Sequence, residues 1–134
     1  MITAENITHI KQKTPRACGQ TCVAMLCGKP VKEAWKFVGH VQGTHGTDII
    51  RAVQKLGFKC PDRMLRYSPY LPLTPLPDVC LLWCKVYLMG KLVAKHWVLK
   101  VDKTYFDPSE DAPSAFLNRC LEITYYVPLE EAAV

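Results

Sequence analysis

The spacing of hydrophobic residues divides the chain into a helical half and a stranded half. The segment from Ala17 to Cys27 is predicted to be helical, because its apolar residues fall near helical spacing and Gly28 ends the run. In the next segment, apolar residues recur at the three- and four-residue steps of one helix face: Val31, Ala34, Trp35, Val38 and Val41. Thr47 is a good N-cap for a third helix, which Gly57 closes.

The second half of the chain is rich in Val, Leu, Tyr and Trp, which favour strands. Four antiparallel strands are predicted: Val79–Leu88, Leu92–Val101, Thr104–Phe106 and Ile123–Val127. The turns between the first three are expected at Met89-Gly90 and Asp102-Lys103. Residues 61–77 are rich in proline and are expected to form an extended crossover. Because the helices come first and the sheet follows, the sequence predicts an α+β fold.

The composition is that of a folded domain. The chain has 134 residues, of which 49% are hydrophobic and 22% charged, so it can bury a core and is neither disordered nor collagen-like. We expect a single domain over residues 1–134. Within it we expect a helical part at about 14–60, the proline-rich crossover at 61–77 and a sheet part at 78–128.

Cysteine content and the N-terminus predict where the protein is located. Seven cysteines, an odd number, fit a reducing compartment better than a disulfide framework. The N-terminus lacks the pattern of a secretory signal, and no apolar stretch is long enough to span a bilayer. We therefore expect a cytoplasmic protein without a membrane span.

The basic residues are unevenly distributed. The net charge is +5, made of +7 over residues 1–76 and −2 over residues 77–134. This pattern fits an ordinary solvated surface, and it also fits a basic rim around a site for an acidic or extended partner. The charge is too small to imply nucleic acid, and no nucleic-acid-reading motif is present.

Cys18 is the first candidate for chemistry. It lies at the predicted start of a helix, where free N–H groups and the helix dipole favour the thiolate over the thiol. The alternative is that Cys18 is a small buried hydrophobe, the usual state of a free cysteine. Cys22, one helical turn later, is expected to be such a core residue.

His96 lies in the middle of a predicted strand and gains a partner from the next one. If Asp102-Lys103 form a two-residue hairpin loop, paired residue numbers sum to 205, so that Asp107 faces Val98. His96 and Asp107 then become diagonal neighbours on one face, close enough for imidazole and carboxylate to touch. Without this register, His96 is better interpreted as a core histidine.

A cysteine, a histidine and an aspartate supply a nucleophile, its base and the group that orients the base. Gln12, six residues before Cys18, is a candidate donor to an oxyanion beside the Cys18 backbone N–H. Taken alone, Gln12 would be an ordinary surface residue. Cysteine and histidine spacings do not match a structural zinc site, so no metal and no cofactor are expected.

These residues carry a resemblance to a known family. Gln12, Cys18-Gly19, His96-Trp97 and Asp107-Pro108 occur in the order and local context of papain-like cysteine peptidases. Among these, the sequence most resembles the bacteriocin-processing, double-glycine branch. The resemblance implies a helical lobe bearing the nucleophile Cys18, packed on an antiparallel sheet bearing the base His96 and the orienting Asp107. It also implies Gln12 in the oxyanion hole. The residue before the nucleophile, commonly Asp in that branch, is Ala17 here.

The expected function is hydrolysis of a peptide or isopeptide bond in a flexible tail, after glycine or another small residue. We expect substrate contacts at Gly19, Gly43, His45 and Trp97. Two alternatives remain at this point. One is a papain-like binding or effector module that acts on a partner protein without general proteolysis. The other is an amidase or acyltransferase that uses the same triad, since a triad fixes neither the acyl group nor the acceptor.

Overall fold

The computed structural model describes residues 2–14, 16–39, 46–68, 75–114 and 121–131. After a 3-10 turn at Ala4–Asn6, the described residues form three helices: α1 (Cys18–Cys27), α2 (Val31–Val38) and α3 (Gly46–Lys55). The helices lie close to their predicted positions, but α3 already includes Thr47, which was the predicted N-cap. The last residue of the predicted stripe, Val41, is outside the described residues. In the part of the chain that the structure describes, no helix is long and apolar enough to cross a membrane.

Glycines end the first two helices for a physical reason. Gly28 follows α1 with φ 64° and Gly39 follows α2 with φ 85°. Both angles lie in the left-handed region, which glycine adopts without the steric cost that a Cβ atom brings. The chain can therefore reverse direction between α1 and α2, which pack against each other.

Within the described ranges of the chain, seven strands follow: β1 (Phe58–Lys59), β2 (Leu65–Arg66), β3 (Val79–Leu88), β4 (Lys91–Val101), β5 (Thr104–Phe106), β6 (Leu121–Pro128) and β7 (Glu130–Glu131). The main sheet is antiparallel with strand order β2-β6-β3-β4-β5, and β1 pairs with β7 in a separate ribbon. The four longer strands agree with the prediction to within two residues at each end. The two-residue strands were not predicted, because a segment that short has no detectable period.

Hydrophobic residues cover both faces of the main sheet. One cluster joins the helices to the sheet and includes Val23, Ile49, Leu81, Trp97 and Phe106. A second cluster is made of Cys80, Leu82, Cys84 and Val98, which alternate along the strands with members of the first. Because most of β3 and the second half of β4 are buried on both faces, they form the centre of the molecule, and α1 packs directly on β4.

The hairpin between β4 and β5 has the register that the sequence predicts. Leu99 pairs with Phe106, Lys100 with Tyr105 and Val101 with Thr104, so each pair sums to 205. Asp102 adopts φ 54° in the two-residue turn, a conformation that aspartate tolerates better than most residues. β5 ends at Phe106, and the chain then leaves the sheet at Asp107.

The buried faces of β3 should dominate the stability of the fold. Leu81 is fully buried in the helix-facing cluster, whereas Leu88, in the same strand, is 64% exposed. We expect Leu81→Ala to reduce the free energy of unfolding by about 2–5 kcal/mol, because it leaves a cavity in the core. Leu88→Ala is the matched control and should change it by no more than about 0.5 kcal/mol. Urea unfolding followed by circular dichroism measures both, and equal losses would contradict the assigned core.

Candidate active site

Cys18 is the first residue of α1, at the helix end that carries unpaired N–H groups. Ala17 occupies the N-cap position and supplies no capping side chain, so these N–H groups are not occupied by a cap. The first turn is instead supported at its side, where Thr21 Oγ1 donates a 2.7 Å hydrogen bond to the Ala17 carbonyl. The Cys18 side chain is largely buried, at 9% exposure. A negatively charged sulfur is favoured at this position.

His96 and Asp107 form a buried pair beside Cys18. The His96 Nε2–H group donates to Asp107 Oδ1 at 2.6 Å, and the two residues are 5% and 2% exposed. β5 pairs with β4 only from Leu99 to Val101, so Asp107 lies just past the end of β5 and is close to His96. The sequence-predicted register therefore brings these two side chains together.

The Cys18 thiol is hydrogen-bonded to His96. Because His96 Nε2 is used by Asp107, Nδ1 is the ring nitrogen left for the sulfur. The backbone groups of Trp97 and Gly19 also hydrogen-bond to Cys18. The sulfur thus lies between the start of α1 and the part of β4 that β5 does not cover.

The pKa values of this pair are shifted towards an ion pair. Burial disfavours the charged sulfur, but the hydrogen bond and charge of His96 outweigh it, so the pKa of Cys18 is lowered from 9.0. Burial likewise disfavours the imidazolium, yet the hydrogen bonds to Asp107 and Cys18 raise the pKa of His96 to about 9. Both shifts favour a thiolate beside an imidazolium over the neutral pair, and the thiolate is the reactive form of a cysteine nucleophile.

The other described cysteines with shifted pKa values move in the opposite direction. Burial raises the pKa of Cys22 well above 9.0, that of Cys27 to about 11 and that of Cys80 to about 12. Burial also raises the pKa of Cys60. Cys22 is 1% exposed, as expected for a core residue one turn after Cys18. Cys18 is therefore distinguished from these four residues by its partner and not by its exposure.

Ser109 contacts both members of the Asp107–His96 pair. The Ser109 backbone N–H donates to Asp107 Oδ1 at 2.9 Å, and Ser109 Oγ lies 3.3 Å from His96 Nε2. The Glu110 N–H also donates to the Asp107 carbonyl, at 3.0 Å, which closes the turn. Ser109 had no predicted role. The short-range tendency of aspartate to bond the backbone two residues later was the signal that would have identified it.

The N-terminal segment holds this turn from outside. The Gln12 N–H donates to the Pro108 carbonyl at 2.7 Å, and Lys11 forms a 2.8 Å ion pair with Asp111. His9 Nε2 donates to the Glu110 carbonyl at 2.7 Å, and its ring stacks on Phe106. No local pattern predicts these contacts, because about 100 residues separate the partners.

The remaining predicted site residues have mixed placements. Gln12 is held beside the Asp107 turn by its backbone, and its side-chain Nε2 donates to the Thr14 carbonyl at 2.9 Å. Gly19 is buried in the first turn of α1. Trp97 is 1% exposed, its indole packs on Trp83 with ring centroids 5.0 Å apart, and its backbone hydrogen-bonds to Cys18. Substrate contacts by Gly19 and Trp97 stay predictions.

Gly43 and His45, the other two predicted substrate-binding residues, lie outside the described residues. In the sequence they lie between α2 and α3. Their predicted role therefore rests on the sequence. The same is true of the catalytic roles assigned to Cys18, His96, Asp107 and Gln12, whose positions alone are given by the structure.

Comparisons with known proteins agree with this architecture. The sequence matches no protein-family model, and a comparison with curated proteins found no match. Among solved structures, the fold is similar to the peptidase domain of Streptococcus ComA, a bi-functional ABC transporter involved in a quorum-sensing pathway. The TM-score is 0.56 at 18% sequence identity, over 94% of this chain and 98% of the other. At the level of the fold, the papain-like, double-glycine-peptidase resemblance seen in the sequence is confirmed.

Proposed function

We propose that this chain is a cysteine peptidase in which Cys18 is the nucleophile, His96 the general base and acid, and Asp107 the residue that orients the imidazole. The observation that carries the proposal is the buried contact of Cys18 with His96 at the start of α1, backed by the 2.6 Å bond from His96 to Asp107. The fold shared with a peptidase domain supports the same reaction class.

The first step is attack by the sulfur on a peptide carbonyl. The Cys18 thiolate forms a bond to the carbonyl carbon, and the electron pair of the C=O bond moves to oxygen. N–H groups at the open end of α1 are available to stabilise that oxyanion, and we assign a further donor role to the Gln12 amide. Gln12 must then exchange its bond to the Thr14 carbonyl for one to the substrate.

The second step breaks the peptide bond. The imidazolium of His96 gives its proton to the leaving amine, and a thioester between the substrate and Cys18 remains. A water molecule then attacks the thioester while His96 accepts its proton, and the sulfur leaves as thiolate, which releases the acid and restores the thiolate–imidazolium pair. Asp107 and Ser109 keep the imidazole in one orientation through both steps.

The proposed substrate is an extended tail with glycine or another small residue before the cleaved bond. An extended conformation is required because the thiol is only 9% exposed, and a folded domain cannot bring its backbone to a buried sulfur. A preference for glycine is what the double-glycine resemblance implies. The basic first half of the chain would attract acidic positions elsewhere in the tail.

Selective alkylation tests the activated thiol. We expect iodoacetamide at neutral pH to label Cys18 before Cys27 or Cys60, although both of those residues are more exposed, because only Cys18 has a lowered pKa among the three. The labelling rate should rise with pH through a midpoint below 9.0. In His96→Ala the effect of burial is no longer offset, so this midpoint should move above 9.0.

Mass spectrometry of the labelled peptides gives the site, and Cys27→Ser is the matched control, which should not change the label on Cys18. Labelling in the order of solvent exposure, unaffected by His96→Ala, would contradict the proposed activation.

Asp107→Asn tests the orienting role. The amide cannot accept the His96 Nε2–H bond as a carboxylate does, so kcat should fall by about 10²-fold or more. The pKa of His96 should also fall below about 9, which moves the alkaline limb of the pH–rate profile to lower pH. Steady-state kinetics on a peptide substrate measures both effects. As the control, Asp111→Asn removes a fully exposed carboxylate in the same turn and should leave kcat and the alkaline limb in place.

Peptides that differ at one position test the specificity. We expect kcat/KM to decrease in the order Gly, Ala, Leu at the residue before the cleaved bond, with leucine at least about 10-fold below glycine. Mass spectrometry of the products reports which bond is cleaved. A preference for leucine would reject the glycine specificity, while turnover that still depends on Cys18 would keep the peptidase assignment.

A further inference from the structure

Exposed apolar side chains of the described chain are concentrated in one place. The β3–β4 hairpin ends in a segment, residues 87–93, that we call the hairpin tip. Five large hydrophobic residues are exposed in the described part of the chain, and four of them lie in the tip: Leu88 at 64%, Met89 at 95%, Leu92 at 49% and Val93 at 55%. Such a cluster is costly to leave in water and marks an interaction surface.

The tip lies past the last described pair of β3 with β6. β3 pairs with β6 up to Val86 and Leu121, while its pairing with β4 continues through Tyr87 with Leu92 to Leu88 with Lys91. Because neighbouring residues of a strand point to opposite faces, Leu88 and Leu92 lie on opposite faces of the hairpin. The tip is therefore apolar on both sides, which suits a medium that surrounds it better than a flat partner surface.

Lysines accompany the apolar residues. Lys85 and Lys95 pair across the ladder and Lys91 lies at the tip, while the sequence from Val79 to Val101 contains no Asp or Glu. The nearest acidic neighbour in the sheet is Glu122, which pairs with Lys85 from β6. No ion pair involving these three lysines occurs among the described residues. Like charges directly opposite each other destabilise a sheet, and an anionic partner relieves that cost.

We propose that the hairpin tip inserts into the interface of an anionic lipid bilayer. Leu88, Met89 and Leu92 enter the boundary between headgroups and acyl chains, and the lysines contact lipid phosphates. A second copy of this chain is a poorer occupant, because two tips of the same positive charge repel each other. Docking at the tip would hold the active site close to the membrane, since Leu92 and His96 are four residues apart in β4, or about 13 Å.

Met89→Asn gives a test that leaves the turn intact. Met89 and Gly90 both have positive φ, at 50° and 77°, and Asn-Gly is the favoured pair for such a two-residue turn. The substitution should therefore keep the hairpin while it removes the most exposed apolar side chain. Lys91→Gln separately removes one charge and should weaken binding to anionic vesicles about fivefold.

The experiment is sedimentation of the full chain with vesicles of phosphatidylcholine, with and without phosphatidylglycerol. We expect binding only to the vesicles that contain phosphatidylglycerol, a decrease in high salt, and at least a tenfold loss in Met89→Asn. Tyr125→Ser is the control, because Tyr125 is the fifth of the exposed large hydrophobic residues described and lies outside the tip. This variant should bind vesicles like the parent chain.

Three results would overturn the proposal. The first is no sedimentation with vesicles that contain phosphatidylglycerol. The second is equal loss in Met89→Asn and Tyr125→Ser. The third is a dimer in lipid-free solution that Met89→Asn dissociates, which would assign the tip to self-association. Labelling of Cys18 in every variant confirms that the fold is intact, so a failure of this proposal is distinct from a failure of the peptidase assignment.

Discussion

The structure depends on one short buried contact, the 2.6 Å bond between His96 and Asp107. It joins a central strand of the sheet to a turn that has already left the sheet, and it does so where both side chains are almost without solvent. A buried carboxylate without a partner is costly, so Asp107 needs His96 as much as His96 needs Asp107. The same bond leaves Nδ1 of the imidazole for the sulfur of Cys18. The bond that stabilises the turn therefore also orients the imidazole towards the thiol.

The elements that meet at this contact are those that the sequence predicts well. The hairpin register follows from two turn residues, Asp102-Lys103, and from strand periodicity, so the proximity of His96 and Asp107 could be deduced before any coordinates. The helix that begins at Cys18 also follows from local signals, namely the spacing of its apolar residues and the Gly28 that ends it. Each of these signals involves residues that are close in the sequence. Pairing of the strands then brings together side chains that are further apart in the sequence.

Features that depend on distant parts of the chain were not predictable. The contacts of His9 and Lys11 with the 107–111 turn join residues with no common pattern, and the two-residue strands exist only because β6 and β7 are there to pair with them. Burial of Trp97 is a similar case. Trp97 directly follows His96 in the sequence, and strand alternation turns its indole into the helix-facing cluster, where it packs on Trp83.

The contacts of the N-terminal segment with the 107–111 turn have a consequence for biosynthesis. A ribosome makes Cys18 well before His96 and Asp107, and the bond of His9 to Glu110 closes a loop of 101 residues. Contacts of such long range form late, since the entropy of loop closure must be overcome first. The nascent chain would therefore carry an ordinary, unactivated thiol until the segment that holds His96 and Asp107 has been made. The lowered pKa of Cys18 is thus a property of the assembled fold.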